Sequence, residues 1–306
     1  MNPLSALSNF SQRRKYLVGV SGGCDSMVLL HALRERSFKN LVVCHFNHGL
    51  RLREAHHEAS LVARAAQAAG ATFEYGEADT AVHARLERIS IEMAARDLRF
   101  RFFQTCAVAH RCQRIFLAHH ADDQVETILL NLFRGTGLAG LVGMRAQSRI
   151  GRLGILRPFL ALPRETIHAY AEQQHIAFAE DASNSSRDYT RNRIRHDLMP
   201  HIKAIFPAAT VALLRLAGIA RDEEDYLAAA TPVFEETISV AQLRALPSAL
   251  RARAVLGWLR ARDIRDLGFA ETAAVLSLLD IAKGPAKINL PAARHVRRSR
   301  GKIFIE

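Results

Sequence analysis

Apolar positions follow two different periods over the first 135 residues of the chain. Short apolar runs are separated by longer segments in which apolar residues recur every three or four positions. The runs predict strands at Tyr16–Val20, Leu41–Phe46, Thr72–Tyr75 and Arg114–Ala118, and the longer segments predict helices at 54–69, 91–109 and 121–134. This alternation predicts an α/β, doubly wound fold, with a mainly parallel sheet and helices on both faces. Ligands of such sheets bind beyond the carboxyl ends of the strands.

The pattern changes after Pro200, where Ala, Leu and Arg dominate. Helical periodicity predicts helices at Val211–Leu227 and Leu243–Arg262. The runs Ala286–Pro291 and Lys302–Ile305 are predicted to form a closing β-hairpin. We therefore place a domain boundary near residues 206 and 207, so that domain 1–206 is followed by a smaller, mostly helical domain 207–306.

Positive charge is concentrated near the C-terminus. The formal net charge of the 306 residues is +12, and residues 244–306 contain 13 Lys and Arg against 5 Asp and Glu. Such a region suits a polyanionic partner, and a solvated basic surface is the alternative.

Cysteine spacing and hydropathy exclude several classes of protein. The four cysteines include no C-x-x-C pair, which argues against zinc and iron–sulfur sites. The first residues lack the apolar segment of a signal peptide, and no run approaches the roughly 20 apolar residues of a membrane helix. We expect a cytoplasmic protein with no membrane partner.

A glycine-rich turn, Ser21-Gly22-Gly23-Cys24-Asp25-Ser26, joins the first predicted strand to an apolar-periodic helix. Adjacent glycines and a helix start direct backbone N–H groups at one point, which suits phosphate. The turn matches neither G-x-x-x-x-G-K-[ST] nor G-x-G-x-x-G. Instead it carries Asp25, an acid whose presence beside phosphate makes sense if Mg²⁺ lies between them.

Three further polar segments are candidates for chemistry. His45–Arg51 follows the second strand, and ordinary loop polarity is its alternative. His119–Thr127 holds paired histidines and three acids at a helix start, where Asp123 and Glu126 share one face. A zinc site there lacks an evident third ligand. Glu180–Asn184 precedes Tyr189–His196, whose alternating arginines suit phosphate or nucleic acid, with a solvated basic helix as the alternative.

Together these segments resemble tRNA(Ile)-lysidine synthetases, a bacterial branch of the PP-loop, or N-type ATP pyrophosphatase, family. The matching stretches run in the family's order from Tyr16 to about Pro200: S-G-G-C-D-S, H-F-N-H-G-L-R, E-x-A-A-R-x-L-R-F-R-F, H-H-A-D-D-Q-V-E-T, R-G-T-G-L-x-G-L-x-G-M, L-R-P-F-L, and E-D-x-S-N with R-N-R-I-R-H. The resemblance implies an adenine nucleotide alpha-hydrolase-like fold for 1–206. It also implies a helical linker domain that binds tRNA, with a short basic hairpin at its end, for 207–306. Longer members carry a further C-terminal domain, so recognition of tRNA is the part that transfers least.

The resemblance also implies a reaction that uses ATP and Mg²⁺. ATP adenylates the C2 oxygen of the wobble cytidine of a tRNA(Ile) with a CAU anticodon, and pyrophosphate leaves. The side-chain amine of free L-lysine then attacks C2 and expels AMP. The product is lysidine.

Roles for single residues follow from the same resemblance. ATP would be held by Ser21, Gly22, Gly23, Cys24, Asp25, Ser26, His45 and His119, with His120 as a second choice beside His119. Asp25 would hold Mg²⁺, Asp123 and Glu126 would meet the lysine amine, and Arg99, with Arg96 in reserve, would meet its carboxylate. Arg191, Arg193 or Arg195 would stabilise phosphate charge or hold the tRNA; Arg193 is chosen for the catalytic role, and the division of roles among the three stays open. Binding of tRNA is assigned to Arg191, Arg195, Arg297 and Arg298.

Two alternatives remain open at this point. A tRNA thiolase of the same family would need a catalytic or cluster-binding thiol, for which Cys24 is poorly placed. A nucleotide-binding regulator without chemistry would not need Asp25, Asp122, Asp123 and Glu126 together. The oligomeric state, including a homodimer, and the role of Cys24 are open.

Overall fold

The computed structural model describes residues 2–49, 52–179, 187, 190–262, 264, 267–280, 282, 284–291 and 293–306, with the side chains of 52–56 left out. The chain divides into two compact units, residues 1–218 and 219–306. The division lies 12 residues beyond the boundary that we placed at 206/207, within a helix that runs from Ala209 to Ala230. A boundary inside a continuous helix has no change in composition of the kind that marks a linker, so the sequence could not show its position.

The first unit contains one six-stranded sheet of order β3-β2-β1-β4-β6-β5. Its strands are β1 Tyr16–Gly19, β2 Leu41–Asn47, β3 Thr72–Glu77, β4 Arg114–Phe116, β5 Gln147–Ile150 and β6 Leu153–Leu156. All neighbours pair in parallel except β5, which pairs antiparallel with β6 at the edge. The predicted mainly parallel, doubly wound sheet is confirmed.

The helices of the first unit occupy the connections and the segment after the sheet. They are α1 Cys24–Glu35, α2 Leu52–Ala68, α3 Thr80–Glu87, α4 Ile91–Ala109, α5 Ala121–Phe133, α6 Leu138–Leu141, α7 Arg164–Gln173, α8 Thr190–Arg193, α9 Met199–Ile205 and, up to residue 218, α10 Ala209–Ala230. A π-helical turn, Ile194–Leu198, joins α8 to α9. Helix α4 begins as predicted, because Ser90 Oγ accepts a hydrogen bond from the Met93 N–H at 3.2 Å.

Strand β1 lies at the centre of the sheet and is buried on both faces. Tyr16 and Val18 pack in one apolar cluster with residues of α1 and α7, and Leu17 packs in another with Phe100 and Phe103 of α4. Side chains alternate across a strand, so this division shows that helices cover both faces. The order of connections reverses between β1 and β4, and the ends of these two strands form the switch point at which such folds bind ligands.

The second unit combines helices with a four-stranded antiparallel sheet of order β7-β10-β9-β8. Its elements after α10 are β7 Ile238–Ser239, α11 Val240–Ala245, α12 Ser248–Arg260, α13 Phe269–Ser277, β8 Lys287–Leu290, β9 Arg294–Ser299 and β10 Lys302–Ile305. Trp258, Val296 and Ile303 are buried in one core.

Two predictions about this unit were wrong. The helix predicted at Leu243–Arg262 is broken into α11 and α12, because Pro247 forces Leu246 into extended backbone (ψ 150°). The predicted closing hairpin is also wrong, since β8 and β10 each pair with β9 rather than with one another. Strand β9 was missed because its arginines obscure the alternation around the buried Val296.

Among the described residues, no single helix is long and apolar enough to cross a membrane. One sharply bent pair, Thr190–Ile205 with Ala209–Ala230, meets the length and composition test at a bend of 99°.

Candidate active site

The turn after β1 is closed by hydrogen bonds between its own serines and backbone. Ser26 Oγ donates to the Gly23 carbonyl at 2.9 Å and accepts from the Ser21 N–H at 3.1 Å. Ser21 Oγ accepts from the Gly23 N–H at 3.3 Å. Gly22 has a φ of +96°, a conformation that side-chain-bearing residues rarely adopt. These features fix the backbone that leads into α1.

The start of α1 offers hydrogen-bond donors and an acid at the same place. Gly23 is the N-cap and has no side-chain cap bond, so the first N–H groups of the helix are available to an anion. Asp25 lies in the first turn, and its Oδ1 atom is buried without a hydrogen-bond partner among the described residues. An unsatisfied carboxylate oxygen beside a phosphate-binding helix start fits Mg²⁺, which takes oxygen ligands.

His120 connects this loop to the start of α5. The side chain is 2% exposed, and its Nε2 atom lies 3.7 Å from Asp25 Oδ2 and 3.5 Å from Asp123 Oδ2. His120 is also the N-cap of α5: its N–H donates to Asp123 Oδ2 at 3.0 Å, and its Nδ1 accepts from the Asp123 N–H at 3.4 Å. The imidazole therefore holds Asp123 close to the phosphate loop.

Asp123 and Glu126 form a buried acid pair that two guanidinium groups bridge. Arg191 Nε donates to Glu126 at 2.6 Å, and its NH2 group donates to Asp123 Oδ1 at 3.0 Å. Arg195 makes the same two connections, at 2.5 and 3.0 Å. Burial alone would raise the pKa of Asp123, but the charges of His120 and Arg191 outweigh it and the pKa is lowered. The two acids share one face of α5, as their spacing indicated.

The arginines assigned from the sequence occupy different surroundings. Arg191 and Arg195 were candidates for tRNA binding, and here they hold the acid pair, whereas Arg193 is exposed. Residues four apart on a helical segment share a face, so the middle arginine points elsewhere. The segments Glu180–Asn184 and Tyr189, and Arg51 of the earlier motif, lie outside the described residues.

Arg157 places a cationic group against His119, two residues before α5 begins. Arg157 is 6% exposed, donates from Nε to His119 Nδ1 at 3.2 Å, and donates from NH1 to Ser148 Oγ at 2.8 Å. Burial lowers the pKa of Arg157 to about 10, and it lowers that of His119 to about 3 with help from the charges of Arg157 and Arg99. His119 is therefore neutral, and its Nδ1 acts as an acceptor.

Arg99, on α4, adds a guanidinium that lacks a complete set of partners. Its Nε atom is buried with no hydrogen-bond partner among the residues described. Burial and the charges of Arg96 and Arg191 lower the pKa of Arg99 to about 10. Arg96 lies over the ring of Phe100 at 4.9 Å and is exposed. A guanidinium group whose buried Nε atom lacks a partner suits an anion, and Arg99 is better placed for one than the exposed Arg96.

His45 lies under the loop. The side chain is 2% exposed, its Nδ1 bonds to the Val20 carbonyl at 2.9 Å, and its ring stacks on Tyr75 at 6.0 Å. Burial lowers its pKa. A neutral imidazole that donates to Val20 supports the strand end immediately before the phosphate loop.

Three residues with clear roles were missed or left without a role by the sequence reasoning. Asp122 Oδ2 accepts from the Arg164 N–H at the start of α7, at 3.0 Å. Gln124 is buried, donates to the carbonyl groups of Val142 and Met144, and accepts from the Met144 N–H at 2.7 Å. Arg157 was present only as a letter of the L-R-P-F-L stretch. Each of the three has a buried apolar residue on one side, Ala121, Val125 or Leu156, and that was the signal available in the sequence.

The two arginines assigned to tRNA in the second unit differ in role. Arg297 is exposed and pairs with Glu306 at 2.9 Å. Arg298 donates to the carbonyl groups of Leu278 and Asp280, just after α13, at 2.7 and 2.8 Å. Neighbours on a strand face opposite sides, so one guanidinium group is available to a partner and the other closes the end of a helix.

Comparison with protein families gives two matches that cover most of the chain. A model described as the PP-loop domain matches residues 2–202, and one described as the TilS substrate binding domain matches residues 238–304.

Curated relatives agree with these matches. A tRNA(Ile)-lysidine synthase of Solibacter usitatus is 34% identical over 303 residues, which is 95% of this chain and 67% of that protein. One of Porphyromonas gingivalis strain W83 is 38% identical over 225 residues, 74% of this chain and 49% of that protein. The matched part of the chain thus spans about half to two thirds of the length of such relatives.

A solved structure of the U34-tRNA thiolase NcsA from Methanococcus maripaludis, with its [4Fe-4S] cluster, is similar at a TM-score of 0.59. Its sequence identity is 14%, over 72% of this chain and 77% of that chain. At that identity the likeness concerns the fold alone.

Proposed function

Because the chain belongs to the tRNA(Ile)-lysidine synthase family of PP-loop proteins, we propose that it converts the wobble cytidine of a CAU-anticodon tRNA(Ile) to lysidine. One observation carries the proposal to this site. A phosphate-binding loop and a buried acid pair, which suit the two very different substrates ATP and lysine, are joined through the single imidazole of His120.

The ATP half of the site consists of the loop Ser21–Ser26 and the start of α1. The N–H groups of the helix start receive the phosphates, and the hydroxyl groups of Ser21 and Ser26 keep the loop backbone in place. Asp25, whose Oδ1 atom is buried without a partner among the described residues, would hold Mg²⁺. The metal, when bound, neutralises charge on the departing pyrophosphate. Two histidines are candidates for contact with the adenylate. His119 is neutral and precedes α5, whereas His45 bonds to the Val20 carbonyl and supports the loop backbone.

The lysine half consists of Asp123 and Glu126 on one side and Arg99 on the other. The acids attract the side-chain amine, and the Arg99 guanidinium binds the carboxylate of the amino acid. The charge of Arg99 helps to lower the pKa of His119, and the charge of His119 helps to lower the pKa of Asp123, as expected if the two sides lie near one another. A ligand with a cationic and an anionic end matches this polarity.

Arg191 and Arg195 occupy the place of the lysine amine in this state. Their bonds of 2.5 to 3.0 Å satisfy both carboxylates, so lysine has to displace at least one guanidinium group. The phosphates of ATP and tRNA are the natural destination of the displaced arginines. Lysine then enters after the nucleotide and tRNA are bound, which prevents idle binding of an abundant amino acid.

The same displacement makes Asp123 a better base. The charge of Arg191 is one cause of the lowered pKa of Asp123, and burial acts in the opposite direction. When Arg191 leaves, the pKa of the carboxyl group rises and Asp123 can take a proton from the ammonium group. The free amine attacks C2 of the adenylated cytidine, the C2–O bond breaks, and AMP departs with the bonding electrons.

The second unit, with its matched substrate binding domain and its excess of arginine, is proposed to bind the tRNA. Arg297 is the better candidate of the two on β9, because Arg298 already bonds to backbone carbonyl groups. A homodimer and a cytoplasmic location stay predictions.

Nucleoside mass spectrometry tests the proposal. The protein is incubated with ATP, Mg²⁺, L-lysine and unmodified tRNA(Ile), and the tRNA is digested. We expect lysidine from the wild type and none from Asp123→Asn, while Glu35→Gln, an exposed control at the end of α1, behaves as wild type. Full turnover by Asp123→Asn would contradict the role of the acid pair, and absence of lysidine with every tRNA would contradict the function.

The thiolase alternative gains no support from the cysteines. All four are buried free thiols, and burial together with Asp25 raises the pKa of Cys24 to about 11. A nucleophilic thiol needs a lowered pKa and access. Sulfur in the tRNA product, measured in the same mass spectra, would overturn this assignment.

A further inference from the structure

Cys24, Asp25 and His168 bring three metal-binding atoms together at the edge of the phosphate loop. One ligand atom from each lies within 4.8 Å of the others. Cys24 and Asp25 begin α1, and His168 comes from the middle of α7. Spacing in the sequence gave no sign of this group, because 143 residues separate Asp25 from His168.

Two of the three residues carry a buried polar atom without a partner. Asp25 Oδ1 and His168 Nε2 are both inaccessible to solvent and make no hydrogen bond to any described residue. Leaving a buried polar group unsatisfied costs about 1–3 kcal/mol. Two such atoms lie beside the buried thiol of Cys24. A ligand bound by all three residues would remove the cost of leaving the two atoms unsatisfied.

The dimensions and charges suit a small soft cation. A point within about 2.8 Å of all three atoms exists for any triangle with sides of at most 4.8 Å, and Zn–S and Zn–N bonds measure about 2.3 and 2.0–2.1 Å. Shifts of less than about an ångström in the three ligand atoms would shorten their distances from this point to those bond lengths. Asp25 and Glu172 contribute negative charge around Cys24, and Arg164 contributes one positive charge.

We propose that Cys24, Asp25 and His168 form a zinc site that competes with Mg²⁺ for Asp25. Thiolate, imidazole and carboxylate together select Zn²⁺ over Mg²⁺, which prefers oxygen. The thiol of Cys24 gives its proton to solvent when the metal binds. Three protein ligands leave a fourth position for water or a phosphate oxygen. Zinc at this place removes Asp25 from the magnesium-dependent step and inhibits pyrophosphate release.

Metal binding is measured first, on the whole chain and without any substrate. Co²⁺ replaces Zn²⁺ as a coloured probe, and we expect one equivalent with a thiolate-to-cobalt charge-transfer band. Cys24→Ser should abolish that band, and His168→Gln should weaken the affinity for Zn²⁺ at least ~10-fold, since even residues that only orient a ligand cost 10–100-fold. Cys112→Ser, a buried control whose thiol bonds to backbone carbonyls, should keep the band.

X-ray absorption of the zinc-loaded wild type provides a readout that no variant's folding can disturb. We expect one sulfur ligand with nitrogen and oxygen making up the remainder. A zinc spectrum without sulfur, or a cobalt band that persists in Cys24→Ser, would overturn the site.

Inhibition is measured second, and this part rests on the proposed function of Asp25. With excess Mg²⁺, micromolar Zn²⁺ should suppress ATP-dependent pyrophosphate release by the wild type, and a zinc-selective chelator should restore it. His168→Gln should keep its activity at zinc concentrations that inhibit the wild type. If zinc binds with sulfur but equal inhibition persists in His168→Gln, competition at Asp25 is wrong. If no pyrophosphate is released under any condition, the proposed function fails while the metal site stands on its spectra.

Discussion

Arg99 shows how a single residue can be destabilising in the free protein and useful to a ligand. Its Nε atom is buried without a partner among the described residues, and burial together with neighbouring cations lowers its pKa to about 10. Positive charges placed near one another and away from acids cost folding free energy. Such a cost is maintained where an anion binds. In the proposed reaction, that anion is the carboxylate of lysine.

Replacing Arg99 by Met should therefore separate stability from function. We expect the urea midpoint of unfolding to rise slightly, because an unsatisfied donor is removed. The KM for lysine should rise about 10- to 100-fold, which corresponds to the loss of one charged hydrogen-bonded contact. The KM for ATP should stay near the wild-type value. Arg101→Met, an exposed neighbour paired with Asp97, is the control. An unchanged KM for lysine would contradict the assignment.

His119 predicts a dependence of stability on pH. Its pKa is about 3 in the folded protein, and burial is the main cause. The unfolded chain binds the proton near pH 6.5. Between these values the unfolded state holds more protons, so stability is complete above pH 6.5 and falls as the pH decreases toward 3, by up to about 1.4 kcal/mol per unit.

His119→Gln should flatten this part of the profile, because Gln does not titrate and its amide oxygen can accept the bond from Arg157 Nε. Urea midpoints at pH 7 and pH 5 measure the effect. The wild type should lose more stability than His119→Gln over this interval, and His57→Gln, an exposed control on α2, should lose as much as wild type. Equal losses in all three proteins would refute a depressed pKa at His119.

At the scale of elements, the segment α8 with its π-helical turn presents Arg191 and Arg195 to the same two acids of α5. Glu126 is 2% exposed and accepts from both guanidinium groups, so the pair of elements is joined by charge at a buried point. Removing one guanidinium group leaves the acids with one of their two arginine partners, while His120 still bonds to Asp123. The carboxylate oxygens released in this way can accept hydrogen bonds from another cation, which in the proposed reaction is the lysine amine.

Arg195→Met should accordingly raise the affinity for lysine in the absence of ATP and tRNA, by about 10-fold if one charged contact no longer competes. Isothermal titration calorimetry with free lysine measures the change. Turnover should fall, because phosphate charge loses a cation. Arg187→Met, which removes an exposed arginine paired with Asp197, should bind lysine like the wild type. A weaker affinity in Arg195→Met would show that the arginines assist lysine instead of excluding it.

At the scale of the whole molecule, the periodic pattern of the sequence predicted the sheet, and local exceptions were where it failed. Burial of β1 on both faces gives an unbroken apolar run, and Ser90 marks the start of α4, so these elements could be read directly. Pro247 breaks a helix that periodicity alone continues, and the arginines of β9 conceal a strand. The pattern of apolar residues shows which positions are buried. It fails where a proline ends a helix or where exposed charged residues interrupt a strand.

The site shows the same limit for a different reason. The spacing of Asp123 and Glu126 on one helix predicted their shared face, because that relation is local. The contacts of Arg191 and Arg195 with these acids, and the meeting of His168 with Cys24, join distant segments through the fold. No single sequence contains that distance information, so residue types could be assigned and partners could not.

The basic second unit makes the final prediction, in which two adjacent arginines of β9 should behave differently. Arg297 is exposed, and its ion pair with Glu306 lies at the surface, where such pairs contribute little to stability. Arg297→Ala should therefore leave the melting temperature unchanged while it weakens tRNA binding and reduces the slope of log affinity against log salt by about one.

Arg298→Ala removes two bonds to backbone carbonyl groups after α13 and should lower stability by about 1–3 kcal/mol. The salt slope of Arg298→Ala, measured by fluorescence anisotropy below the melting temperature, should stay at the wild-type value, because the guanidinium group of Arg298 is already bonded to backbone carbonyl groups. If both variants reduce the slope equally, both guanidinium groups reach the nucleic acid and the helix-end role of Arg298 is secondary.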